Sequence, residues 1–229
     1  MKRAINKIVI LSLVTVTLSG CFLKSVHPLI NNDNAVLIEG LEGVYEKKDQ
    51  RWTFASDNTP YLMADLIREH PDEDISLEPG EIDTLGKDGY LIRLEQLDKP
   101  GSYPEYFIGM IGKINGDLFL NLKLLELDYG MNSSFGIAHQ FNVNTFSKFQ
   151  FSGEELIMEP FASSWIRDQI RNNRVRIKHE VVTSDFDESS EVLITASTEE
   201  LQQFVKKYGN EEEAYEEAIT LRRIDNEAQ

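Results

Sequence analysis

Only one residue of this 229-residue chain is a soft nucleophile: Cys21, the single cysteine. One thiol cannot form an intramolecular disulfide or supply the thiolate cluster of a structural zinc site. Its neighbours Ser19 and Gly20 are small and leave room for an enzyme to reach the sulfur. Modification of that sulfur is the chemistry the position suits. The other reactive side chains are scattered. His27, His70, His139 and His179 stand alone, without H-x-H or H-E-x-x-H spacing. His179 shares its parity with Val175, Ile177 and Val181. It is therefore either a ligand-contacting group in a cavity or a core histidine bonded to a backbone carbonyl. Asp72-Glu73-Asp74 and the run Asp185, Asp187, Glu188 are dense in carboxylates but lack the glycine turn and distal glutamate of a calcium loop. They read as solvated acidic loops, and no metal is expected. Ser133-Ser134 has no G-x-S-x-G around it, and no Walker loop or dinucleotide fingerprint occurs. No catalytic residue is assigned on this basis.

The residues ahead of Cys21 say more. Lys2, Arg3 and Lys7 form a positive start, and an apolar run from Ile8 to Leu18 follows. That is the layout of a secretory signal, and the run is too short to cross a bilayer permanently. Leu18-Ser19-Gly20-Cys21 resembles the bacterial lipobox. The resemblance implies diacylglycerol on the Cys21 sulfur, cleavage before it and an acyl chain on the new amino terminus. No other cofactor is expected. Two or three acyl chains hold a protein on a membrane almost irreversibly, at about 0.8 kcal/mol per buried methylene. Phe22, not Asp, follows the cysteine. In a diderm this implies the outer membrane facing the periplasm; in a monoderm, the outer face of the plasma membrane.

The chain has 39 acidic against 23 basic side chains and a formal charge of −16. Losing residues 1–20 makes it more negative still. Such a surface does not release counterions from nucleic acid, so a nucleic-acid partner is excluded. It is also repelled by anionic headgroups, which leaves attachment to the lipid.

The rest of the chain must position whatever site exists. Residues 21–35 read as a tether, with the alternative that Val26, Pro28, Leu29 and Ile30 pack on the domain. Residues 36–225 read as one domain dominated by a period of two. Leu118, Leu120, Leu122 and Leu124 alternate with Phe119, Asn121 and Lys123, and Tyr90, Ile92 and Leu94 share one parity. Val175, Ile177, His179 and Val181 do the same. Strands apolar on one face belong to antiparallel sheets. Asn115-Gly116 and Ser152-Gly153 mark hairpins. Further strands are expected around 43–46, 51–55, 61–67, 157–160, 191–195 and 220–223. Gly109 and Gly112 within a strand predict a bulge or bend. Short helices are expected near 163–172, capped by Ser163 or Ser164, and over 198–208. In the second, Ser197 and Glu200 form a capping box, and Leu201, Phe204, Val205 and Tyr208 make an apolar stripe. The fold class is mainly β with a few short helices, built as an antiparallel meander that forms a barrel or half-barrel.

Leu41-Glu42-Gly43-Val44-Tyr45 followed by Arg51-Trp52-Thr53-Phe54 resembles the opening of lipocalin-like β-barrel domains. There a G-x-W strand closes the barrel floor and a late basic residue stacks on the ring. Tyr45 stands in place of the tryptophan. The resemblance implies that Arg222 or Arg223 provides the cation; Tyr45, Trp52 and Arg222, with His179 from its parity, are the expected ligand-site residues. Cys21, Lys24 to Leu29, His179 to Val182 and Thr195 to Gln202 also resemble a group of uncharacterised bacterial lipoproteins. The expectation is a non-enzymatic envelope lipoprotein binding a lipid or other apolar ligand. The alternative is an assembly protein docking another envelope protein; a hydrolase with an unrecognised site ranks third.

Overall fold

A computed structural model describes residues 22–56, 88–99, 101–125, 143–184 and 187–224. Cys21, His70, His139, Ser133-Ser134, the acidic 71–74 segment and the strand expected over 61–67 lie outside the described residues.

The period of two becomes a barrel. Strands β2 (Gly43–Lys47), β3 (Gln50–Ala55), β4 (Gly89–Gln96), β5 (Glu105–Ile114), β6 (Asp117–Leu124), β7 (Asn144–Phe151) and β8 (Glu155–Pro160) pair antiparallel, each with the next. Strand β11 (Ile219–Ile224) joins β8 to β2 and closes the eight-stranded ring. Closure removes the free edges that a long meander would otherwise expose. The β5–β6 hairpin turns on Asn115 and Gly116, both at positive φ (53° and 98°), the backbone that a two-residue turn requires.

One parity of every barrel strand points inward. Tyr45, Trp52, Phe54, Tyr90, Ile92, Phe107, Ile111, Leu120, Leu122, Phe149, Leu156, Met158 and Leu221 form one apolar cluster. Trp52 lies nearly parallel to Phe54 and Phe107, with ring centroids 6.5 and 6.3 Å away. Gly109 faces the same interior, where a Cβ would collide with the Ile92 side chain. Gly112 faces outward, and a Cβ there would meet Ile30 at 2.6 Å and the Asn34 carbonyl at 2.8 Å. The β4–β5–β6 ladders run through both glycines without a register shift. They make room for neighbours; the expected bulge is absent.

A second layer covers the outer wall. Its elements are α1 (Ser163–Arg171), β9 (His179–Ser184), β10 (Asp187–Ile194) and α2 (Thr198–Tyr208), all inserted between β8 and β11. The short β1 (Lys24–Ser25) runs parallel to β10 and antiparallel to the start of β7. Here the outward side chains Met110, Ile114, Phe119 and Phe146 pack with Phe161, Ile166, Val192, Ile194, Leu201, Phe204 and Val205. Helix α2 matches its expected span, and its capping box is present: the Ser197 hydroxyl accepts from the Glu200 N–H, and Glu200 accepts from the Ser197 N–H at 2.9 Å. It lies across the outside of the barrel wall. Helix α1 begins instead at an Ala162 cap without a side-chain bond, so neither expected serine caps it.

Of the two readings of residues 21–35 the packed one fits residues 22–35, and one strand is corrected. The segment from residue 22 is no free tether: Phe22, Leu23, Leu29 and Ile30 are buried, while Val26 is exposed. Leu23 donates to the Phe161 carbonyl at 2.9 Å, and Leu29 donates to Asn121 Oδ1 at 2.9 Å. Asn121 donates to Asn144 Oδ1, and Asn144 donates to the Val26 carbonyl, so two buried amides clasp the segment to the barrel. The strand read from Val175 begins only at His179, and Val181 and Val182 on it are both exposed.

Candidate functional site

A cation from the last strand packs on the Tyr45 ring where β11 meets β2. Arg223 sits opposite Tyr45 in the β11–β2 ladder, with its guanidinium carbon 5.5 Å from the Tyr45 ring centroid. Its nitrogens donate to the carbonyls of Gly40 (2.8 Å), Gly153 (3.2 Å) and Glu42. Three chain segments are thereby joined by one planar group, which a lysine could not do. Gly43 is at φ 145°, and a Cβ on it would lie 2.6 Å from the guanidinium. The glycine is what lets the arginine reach the ring. Tyr45 donates its own hydroxyl to the Leu41 carbonyl at 2.7 Å. Burial pushes that hydroxyl above the ordinary tyrosine pKa, with the Arg223 charge opposing the rise.

Arg222, named first from the sequence, points the other way: its side chain is 83% exposed and 3.7 Å from Glu155. Parity decides between them, because Leu221 faces the interior and Arg223 shares its face. Trp52 is buried inside the barrel and donates to Gln50 at 3.3 Å. His179 lies far from either ring in the fold, on β9 of the outer layer, and its Nδ1 bonds the Ile177 carbonyl at 2.8 Å. The structure thus brings Tyr45 and Trp52 together as cross-strand partners and adds Arg223. Arg222 and His179 stay apart from them.

Among the described residues the interior around these rings is occupied by side chains, and Tyr45, Trp52, Phe54, Tyr90 and Phe107 are each no more than 1% exposed. A cleft of about 920 Å³ lies elsewhere, between α2 and the 173–179 segment. Its apolar wall includes Ile170, Val175, Ile177, Phe204 and Tyr208, and Arg174, Arg176, Lys178 and Lys207 border it. Trp165 of α1 supports that wall, with its ring 6.3 Å from Phe204 and 5.8 Å from Tyr208. His179 belongs to this cleft. The sequence reading missed the cleft because its two walls are separated by the whole β9–β10 hairpin. The alternation of Arg174, Arg176 and Lys178 with Val175 and Ile177 was the only local signal, and it reads as a strand.

No group of three or more histidine, cysteine or carboxylate side chains able to hold a metal occurs among the described residues. No helix among them is long and apolar enough to cross a membrane. The chain matches no family model, and searches of curated proteins and solved structures find no similar protein.

Proposed function

We propose that this chain is an acyl-anchored envelope protein with a lipocalin-like barrel, which binds a lipid or other apolar ligand and does not transform it. The observation that carries the reading is a closed eight-stranded barrel with Phe22, which directly follows Cys21 of Leu18-Ser19-Gly20-Cys21, buried in its core cluster. The floor built by Gly43, Tyr45 and Arg223 supports the lipocalin-like comparison. With Phe22 after the cysteine, the outer membrane facing the periplasm is the proposed location in a diderm, and the outer face of the plasma membrane in a monoderm.

Labelled palmitate is expected to enter the protein, and Cys21→Ser is expected to lose the label and leave the membrane fraction. Retention of label by Cys21→Ser overturns the anchor. Native mass spectrometry of the anchor-free chain taken from cells is expected to show a bound apolar molecule. The second reading, docking of another envelope protein, is favoured by the side-chain-filled interior. A stoichiometric crosslinked partner with no small ligand would replace the first reading by the second.

A further inference from the structure

The cleft outside the barrel has a charge at odds with the rest of the molecule. Across a chain of formal charge −16, the basic side chains Lys24, Arg51, Arg93, Lys148, Arg171 and Arg222 each stand beside a carboxylate. Arg174, Arg176 and Lys207 have no ion pair among the described residues. Lys178 is paired with Glu200 at 3.0 Å, and Glu199 accepts from the Ser197 hydroxyl at 2.8 Å. Arg174, Arg176, Lys178 and Lys207 thus outnumber Glu199 and Glu200 around the cleft, and its net charge is positive.

Beneath that rim the wall is apolar. Phe204 and Val175 are buried members of the outer core, and Ile177 and Tyr208 pack against it. Lys207 lies over the Tyr208 ring, 4.7 Å from its centroid, so one face of the wall already accepts a cation. A volume of about 920 Å³ is in the range of small-molecule sites. Unpaired cations over a low-dielectric wall concentrate positive potential, which favours an anion that also brings an apolar body to cover the wall.

We propose that this cleft binds one single-chain anionic amphiphile, with a carboxylate or phosphate head against Arg174, Arg176 and Lys207 and a tail along Phe204, Val175 and Ile177. The proposal rests on the reading of the chain as a ligand-binding protein and moves the site from the barrel interior to its outer wall.

All the described elements lie within Phe22–Ile224, so a chain starting at Phe22 carries both candidate sites. The protein has only two tryptophans, Trp52 inside the barrel and Trp165 behind the cleft. Titration with laurate is expected to saturate at one molecule per chain and to change emission in the wild type but not in Trp165→Phe. Arg174→Ala/Arg176→Ala, both exposed positions, is expected to weaken binding about tenfold while leaving the melting curve unchanged. Dodecanol, which lacks the charge, is expected to bind at least as weakly to the wild type as laurate does to that variant. Equal laurate affinity in the double variant overturns the proposal. If emission still changes in Trp165→Phe, the ligand is in the barrel, and the broader reading stands without this site. Absence of laurate binding, with or without adhesion to phosphatidylglycerol vesicles, also overturns it; palmitate labelling then judges the anchor separately.

Discussion

The barrel interior and the layer on its outer wall are both apolar cores, but they are assembled differently. The interior is made by strands that pair each with the next in sequence, apart from β11, which closes the ring between β8 and β2. The outer core joins Leu23, Leu29 and Ile30 to β10, α1 and α2, across separations of about 130 to 180 residues. It also depends on buried amides, with Leu29, Asn121, Asn144 and Val26 linked in a chain of hydrogen bonds. Thr198 and Gln202 of α2 add bonds to the Pro28 and Leu29 carbonyls at 2.7 and 3.1 Å. A core closed by rings stacked inside a ring of strands resists local opening. One closed by a terminal segment can open while the barrel persists.

Five substitutions would break or sharpen that contrast. The largest effect is expected from Trp52→Ala, which removes the ring lying between Phe54 and Phe107 and should cost about 3–5 kcal/mol in denaturant unfolding. The whole barrel should melt with it as one transition. Arg223→Ala comes next, at about 2 kcal/mol, because three carbonyls and the Tyr45 face lose their partner. Arg222→Ala, one residue away, should stay within about 0.5 kcal/mol. Equal effects of the two would refute the parity argument.

Asn121→Ala strands the Leu29 N–H and the Asn144 amide, at about 1–2 kcal/mol. Its diagnostic is hydrogen exchange: amides over 23–30 and in α2 should exchange faster, while β3, β4 and β5 keep wild-type protection. Uniform loss across the barrel would show that the two cores are a single cooperative unit.

The smallest change concerns pH. Ser197→Ala removes the α2 cap, worth about 1 kcal/mol. The Glu199 carboxyl is held below the usual range by its own backbone N–H and then the Ser197 hydroxyl, and the Glu200 carboxyl by the Ser197 backbone N–H and then Lys178. A depressed folded pKa gives stability that is present above the ordinary carboxylate value and is lost as pH falls through the folded one. The wild-type α2 should therefore loosen below about pH 4.5, followed by its circular dichroism, and Ser197→Ala, which of these bonds loses only the hydroxyl's to Glu199, should show a slightly flatter acid limb. Inside the barrel the sign reverses. Burial raises the Tyr45 and Tyr90 hydroxyls, so their contribution is intact below the ordinary tyrosine value and fades above about pH 10.

The same contrast governs what could be read from the amino acids. Alternation at Tyr90–Leu94 and Leu118–Leu124 reported the barrel faithfully, because each of those strands has neighbours on both sides and one inward face. The identical pattern at Val175–Val181 misled. Val175 is buried under α2, whereas Val181 lies on the outermost strand of the side sheet and is 56% exposed. Period two fixes which side chains share a face and says nothing about whether anything covers it. Arg223 was recoverable, since Leu221 announces the inward parity of β11. The choice between a tether and a packed segment at Leu29 and Ile30 was not, because it depends on Gly112 leaving space for Ile30 on a distant stretch of the wall.

Phe22 is packed against the barrel end and bridged to Ala162. If the preceding sulfur carries acyl chains, the protein has no leash. It can spin and drift in the plane of the leaflet, but its patrol radius is its own width. Whatever it meets must come down to the lipid surface, and a long flexible insert spliced between Cys21 and Phe22 would restore height without altering either core.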